Sequence, residues 1–130
     1  MVRRIALCAA LVVAGALGTA DAQQETIKRT PLQKIEVPDS KYETVMAMAE
    51  IVPNANVGRH SHPGVETAYI LDGDITLMVE GKPPLQVKAG ESYTVPGSAV
   101  HDARTGAKGA KILVTYTVER GKPLATPAPK

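Results

Sequence analysis

The chain has 130 residues, with 15 basic and 13 acidic side chains, which is enough for one domain and too few for two. A balance this close to neutral leaves no basic stripe and argues against nucleic acid as a partner. One cysteine, no phenylalanine and no tryptophan exclude a disulfide scaffold and require a core of aliphatic residues and tyrosines.

Residues 1–22 read as a cleaved secretory signal peptide. Arg3 and Arg4 precede an apolar run over 5–17, and Ala20-Asp21-Ala22 supplies the small residues of a cleavage site before Gln23. The run is shorter than the about 20 residues that span a bilayer, so no stable membrane anchor is expected. Cys8 lies too early in the run for a lipoprotein, and the residues flanking Arg3-Arg4 give little support for twin-arginine export. The expected location is periplasmic or secreted. Cleavage removes the only cysteine and leaves 13 basic against 12 acidic residues, so any metal site must use nitrogen and oxygen ligands.

Residues 23–40 form an N-terminal arm whose polar stretch, 23–34, is expected to be loose. Residues 42–50 (YETVMAMAE) have the composition of a helix but also alternate like a strand, and strand is preferred because the surroundings are β-prone. Residues 67–71 and 75–79, joined through Asp72-Gly73, predict a hairpin. Short strands follow over 85–87 and 91–95, separated by Ala89-Gly90, and Pro96-Gly97-Ser98 turns the chain. Residues 111–118 read as a last long strand. Residues 121–130 contain Pro123, Pro127 and Pro129 and predict a flexible tail, extended or disordered. The domain proper is thus 41–120, and many short strands at this spacing indicate a sandwich or barrel.

His60, His62 and His101 are the only histidines. Residues two apart in a strand point to one side, so His60 and His62 can converge on one ion. Taken singly, each piece has an ordinary reading: partly exposed strand histidines, a solvated Glu66, a hydrogen-bonded loop His101. Together, His60-x-His62 with Glu66 and Gly73, then Gly90, Pro96 and His101, resemble the two motifs of the cupin family. Asn54, Ser98 and Thr105 stand where the family has glycine, glycine and asparagine, which touches turn geometry and not the ligand positions.

The resemblance spans roughly residues 42–118. It implies an all-β cupin jelly-roll β-barrel with His60, His62, Glu66 and His101 around one divalent transition metal ion, Fe, Mn, Ni, Zn or Cu. It also implies open coordination positions, a small-molecule substrate or ligand, and a homodimer. Glu66 doubles as the candidate catalytic base. Arg59, Tyr69, Tyr93, Asp102, Arg104 and Tyr116 lie near the motifs, with Tyr69 expected in the core and Asp102 facing away from His101. Met46 and Met48 are expected to pack rather than line a cavity. A metal-dependent oxygenase leads the functional readings. A non-redox isomerase, lyase or decarboxylase and a non-catalytic binding module are the alternatives, since a fold does not fix a reaction.

Overall fold

A computed structural model of the protein describes residues 25–129, and the expected signal peptide lies outside them. The described residues form no helix and eight strands: β1 Ile27–Glu36, β2 Tyr42–Ile51, β3 His60–Ser61, β4 Gly64–Val79, β5 Leu85–Lys88, β6 Ser92–Val95, β7 His101–Glu119 and β8 Thr126–Pro127. All pairings are antiparallel, and the curled sheet they make is the expected all-β jelly roll.

The long strands β4 and β7 are the spine, and each bends in the middle. Gly64 to Gly73 of β4 run beside Val118 to Ala110 of β7. Beyond the bend, Ile75 to Val79 run beside Thr105 to His101. β2 lies against the other side of β7 over Ala110 to Glu119, and β5 and β6 line β4. At the bend the backbones cross so closely that a Cβ on Gly73 would strike the Gly109 carbonyl, and one on Gly109 the Ile51 carbonyl. Both glycines also have positive φ, 74° and 71°, so side chains are excluded there twice over.

The inward faces carry Ala47, Ala49 and Ile51 of β2, Ile70, Ile75 and Leu77 of β4, and Ile112, Val114 and Tyr116 of β7, all buried. Alternation of period two places them there. Met46 and Met48 lie on the opposite face of β2 and do not line the interior. Tyr93 and Tyr116 are the aromatic residues of the core. Tyr69, expected there, is instead 46% exposed.

Three expectations are corrected. Residues 67–71 and 75–79 are not a hairpin but two halves of β4, because both find a partner in β7 and Gly73 supplies a bend instead of a reversal. The loose arm is largely β1, hydrogen-bonded to β2 from Ile27 to Glu36 with an irregularity at Pro31 to Gln33. An outer strand exposes most of its side chains, so its pairing rests on backbone groups that hydropathy does not report. The tail, expected to be extended or disordered, is extended and pairs in part. β8 pairs with β3, His60 opposite Pro127 and Ser61 opposite Thr126, and the Ala128 N–H donates to the Arg59 carbonyl. Proline suits such an edge position, where its missing N–H is not needed.

The departures from the motif have physical reasons. Asn54 and Ser98, at glycine positions of the family, have φ of 52° and 57°, a region glycine enters freely and asparagine tolerates. Thr105 does framework work, donating to the Val52 carbonyl and accepting from the Ala55 N–H.

Candidate metal centre

The spine and its smallest neighbour bring the three histidines into one cluster, with Glu66 against His62 and His101. β3 places His60 opposite His101 at the start of β7. Glu66 projects inward from β4 opposite Val95 and Tyr116. His62, just past β3, completes the group. The imidazole centroids lie 4.9 Å (His60 to His62), 4.3 Å (His60 to His101) and 5.1 Å (His62 to His101) apart. One ring nitrogen from each lies within 4.8 Å of the other two. His62, Glu66 and His101 are buried, and His60 is half-buried.

Each imidazole is pinned by a backbone carbonyl. Nδ1 of His60 meets Gly58 O at 2.8 Å, Nδ1 of His62 meets Leu124 O at 2.6 Å, and Nδ1 of His101 meets Ala99 O at 3.0 Å. A carbonyl only accepts, so each Nδ1 carries the proton and donates. In the neutral ring, Nε2 is then a free lone pair turned toward the centre. This is how a metal-binding histidine is oriented.

Glu66 meets this group from one side. Its Oε2 lies 2.8 Å from His62 Nε2 and 3.3 Å from His101 Nε2, and its Oε1 accepts from the Tyr93 hydroxyl at 2.7 Å. His62 Nε2 is buried without a satisfactory hydrogen bond despite the 2.8 Å contact. Two electron-rich atoms, an imidazole lone pair and a carboxylate oxygen, therefore face each other in a buried site. A cation between them removes the conflict. Three imidazole nitrogens and a carboxylate oxygen form a donor set that fits a divalent transition ion.

The electrostatics agree. Burial pushes the Glu66 carboxyl up, but hydrogen bonds from His101 and His62, when their Nε2 carries a proton, and from the Tyr93 hydroxyl outweigh it and hold the group well below the usual carboxylate range; a cation in place of those protons has the same effect. Glu66 is thus an anion at neutral pH. Burial, reinforced by the neighbouring His101 and His62, lowers His60 to about 4 against the pull of the Gly58 carbonyl. Burial also lowers His101, but Glu66 and the Ala99 carbonyl more than offset this and raise it. Burial and the Glu66 charge push Tyr93 well above its ordinary value and Tyr116 up to about 12. Both phenols keep their protons.

The surroundings position the ligands. Asp102 points away from the cluster, as expected. Its Oδ1 accepts from the Gly58 N–H at 2.8 Å, fixing the loop whose carbonyl holds His60. Tyr116 packs on the His62 ring, centroids 4.7 Å apart, and its hydroxyl accepts from Arg29 Nε at 3.1 Å. Arg59 is tied to Glu80 and the Pro129 carbonyl, and Arg104 to Asn56. A small inner cavity of about 20 Å³, room for roughly one water, lies among His60, Glu66, Tyr93, His101 and Tyr116.

Sequence reasoning missed Arg29 and Leu124. Ile27 and Arg29, two apart beside the β-branched Thr26 and Thr30, offered a signal for an inward-facing pair. Leu124 offered none, because it acts through its carbonyl.

The cupin domain family matches residues 47–116. The chain belongs to the cupin family. Among solved structures it is similar to the DMSP lyase DddQ from Ruegeria pomeroyi, with TM-score 0.68 and 20% identity, covering 92% of this chain and 59% of that one. It is also similar to a double-stranded β-helix protein of Klebsiella pneumoniae, with TM-score 0.64 and 17% identity over 82% and 88%. A third likeness is to the polyketide cyclase RemF of Streptomyces resistomycificus, with TM-score 0.60 and 23% identity over 82% and 75%. The cupin spans only 44% of a chain from the crystal structures of the DMSP lyases RdDddP and RnDddQII. At these identities the likeness is one of fold. No curated protein matches the chain. No helix among the described residues is long and apolar enough to cross a membrane.

Proposed function

We propose that this cupin is a metal-dependent enzyme acting on a small organic molecule, its ion held by His60, His62, His101 and Glu66. The carrying observation is that three carbonyls fix three Nδ1 protons on three clustered imidazoles, two of which, His62 and His101, turn Nε2 to the buried Glu66 carboxylate. A divalent ion bound there supplies Lewis acidity, or redox chemistry if it is iron, copper or manganese.

The chain's own residues do the rest. Glu66, anionic and lining the cavity, takes a proton from the substrate. The Tyr93 hydroxyl donates to its other oxygen and steadies the carboxylate. The aliphatic walls around Ile112 and Val114 keep bulk water out. This reading favours proton-transfer reactions, the lyase, isomerase or cyclase kind, and the presence of a lyase and a cyclase among the fold neighbours supports it. An oxygenase is the second reading, favoured by a donor set that suits redox-active ions as well as zinc. Residues 1–22, as an export signal, would deliver the chain to the periplasm or beyond, where copper and zinc compete most strongly for such a site.

The test is elemental analysis of protein purified from its native host, followed by turnover assays of the zinc-loaded and iron-loaded forms with and without dioxygen. Oxygen-independent turnover by the zinc form is expected. Turnover only with iron and oxygen replaces the first reading by the second. No bound metal at stoichiometry ends both.

A further inference from the structure

Arg29 is the one feature of the interior that the reading above leaves without a task. It lies opposite Ala49 in the β1–β2 register, on the face that Ala49 buries. Arg29 is half-buried, and among the described residues its guanidinium is engaged only through Nε, by the Tyr116 hydroxyl. Every salt bridge among the described residues is made by other cations. An arginine withdrawn from water without a carboxylate is costly unless something anionic visits it.

Its position says what visits. Arg29 lines both the inner cavity and an outer pocket of about 270 Å³, and Ile27, Val57 and His60 are likewise shared by the two. The outer pocket is therefore the mouth of the site. Ala125 and Pro127 close it from the tail side, and no acidic residue lines it. Arg59, also at the rim, is already neutralised by Glu80. A divalent ion with neutral imidazoles and one carboxylate leaves a net positive centre, and Arg29 adds to it. The mouth thus offers one unpaired fork of N–H donors, apolar walls and an excess of positive charge.

We propose that Arg29 anchors the carboxylate of a small organic acid, with the acid's short apolar body lying against Ile27, Val57, Ala125 and Pro127. This names the substrate class of the site and rests on the metal-centre reading. A guanidinium pairs with a carboxylate in a bidentate way. The apolar walls suit an acid with a short hydrocarbon body better than phosphate, which has none. A mouth this size is at the small end of ligand pockets, which suits an acid of about three to six carbons.

The test uses the zinc-loaded full chain, labelled with ¹⁵N and titrated with isobutyrate, with its neutral isostere isobutyramide, and with inorganic phosphate. Isobutyrate is expected to shift the Arg29 side-chain N–H and the Val57 and His60 amides in a saturable way. The amide and phosphate should bind at least about tenfold more weakly, the loss of one charge-assisted pair. Arg29→Gln, which keeps a donor for Tyr116, should weaken isobutyrate by a similar factor without changing the zinc content, and Arg29→Lys should restore part of it. Equal binding by the amide, stronger binding by phosphate, no saturable shift, or an Arg29→Gln chain that binds isobutyrate like the parent each overturns the proposal. Failure of the metal reading shows separately, as absent zinc stoichiometry. Isobutyrate shifts in the metal-free chain, lost in Arg29→Gln, then still support the anchor, and their absence overturns it.

Discussion

Glu66 and His101 stand on β4 and β7, which pair along nearly their whole length and carry most of the buried side chains. His60 and His62 sit on and just beyond β3, a strand of two residues held by one register pair to β7 and two to β8. The spine owes its geometry to collective packing. The β3 corner owes its geometry to a few individual hydrogen bonds, from the histidines to the Gly58 and Leu124 carbonyls and from the Gly58 N–H to Asp102. Fold stability and metal affinity should therefore depend on different parts of the molecule.

Removing a ligand gives the largest effect. His101→Ala should reduce zinc in desalted protein to background, since it deletes one of three converging imidazoles, and elemental analysis reads this directly. Retained stoichiometric zinc would place the ion elsewhere. Damage to the spine comes next and should behave differently. Ile112→Ala, buried between β2 and β4, should cost about 3 kcal/mol in urea unfolding while leaving zinc stoichiometry intact.

The corner should show the reverse pattern. Deleting residues 121–130 removes the Leu124 carbonyl and the β8 pairing. Zinc affinity should drop about 10–100-fold, as for loss of a hydrogen-bonding partner behind a ligand, with a smaller loss of unfolding free energy than Ile112→Ala. A competition titration with a chromophoric chelator measures the first and urea unfolding the second. If the deletion destabilises more than Ile112→Ala does, the two regions are not separable in this way.

The smallest effect is the most local. Metal and proton compete for the same nitrogens. His101, raised above its ordinary value by Glu66 and the Ala99 carbonyl, takes a proton before His60, which is lowered to about 4. Zinc affinity should thus weaken as pH falls while His60 is still neutral, with that loss traced to the spine histidine. Imidazole NMR shifts of the metal-free chain would show which ring titrates first. His60 protonating before His101 would contradict the assignment.

The contrast also explains what could be read from the sequence. The spine was legible because its strands alternate, and the motif positions of His60, His62, Glu66 and His101 were legible because three histidines and a carboxylate at fixed spacing are rare. The two turns of the motif at Asn54 and Ser98 were visible as departures, and their positive φ accounts for them. The β4 hairpin was misread because Asp72-Gly73 signals a reversal in isolation, and only β7, far along the chain, makes it a bend. β1 and β8 were invisible for a different reason. Both are outer strands whose contribution is carried by backbone groups, which every sequence possesses alike.

The Leu124 carbonyl has one more consequence, for the order of events as the chain is made. Leu124 and Thr126 follow every other strand in synthesis, yet the first of them fixes the His62 ring and the second pairs beside it. A nascent chain whose spine has already formed still lacks the hydrogen bond that turns His62 inward. Tight capture of an ion at the proposed site would thereby wait until residues 124–126 are in place, so the barrel would be built before its ion is locked in.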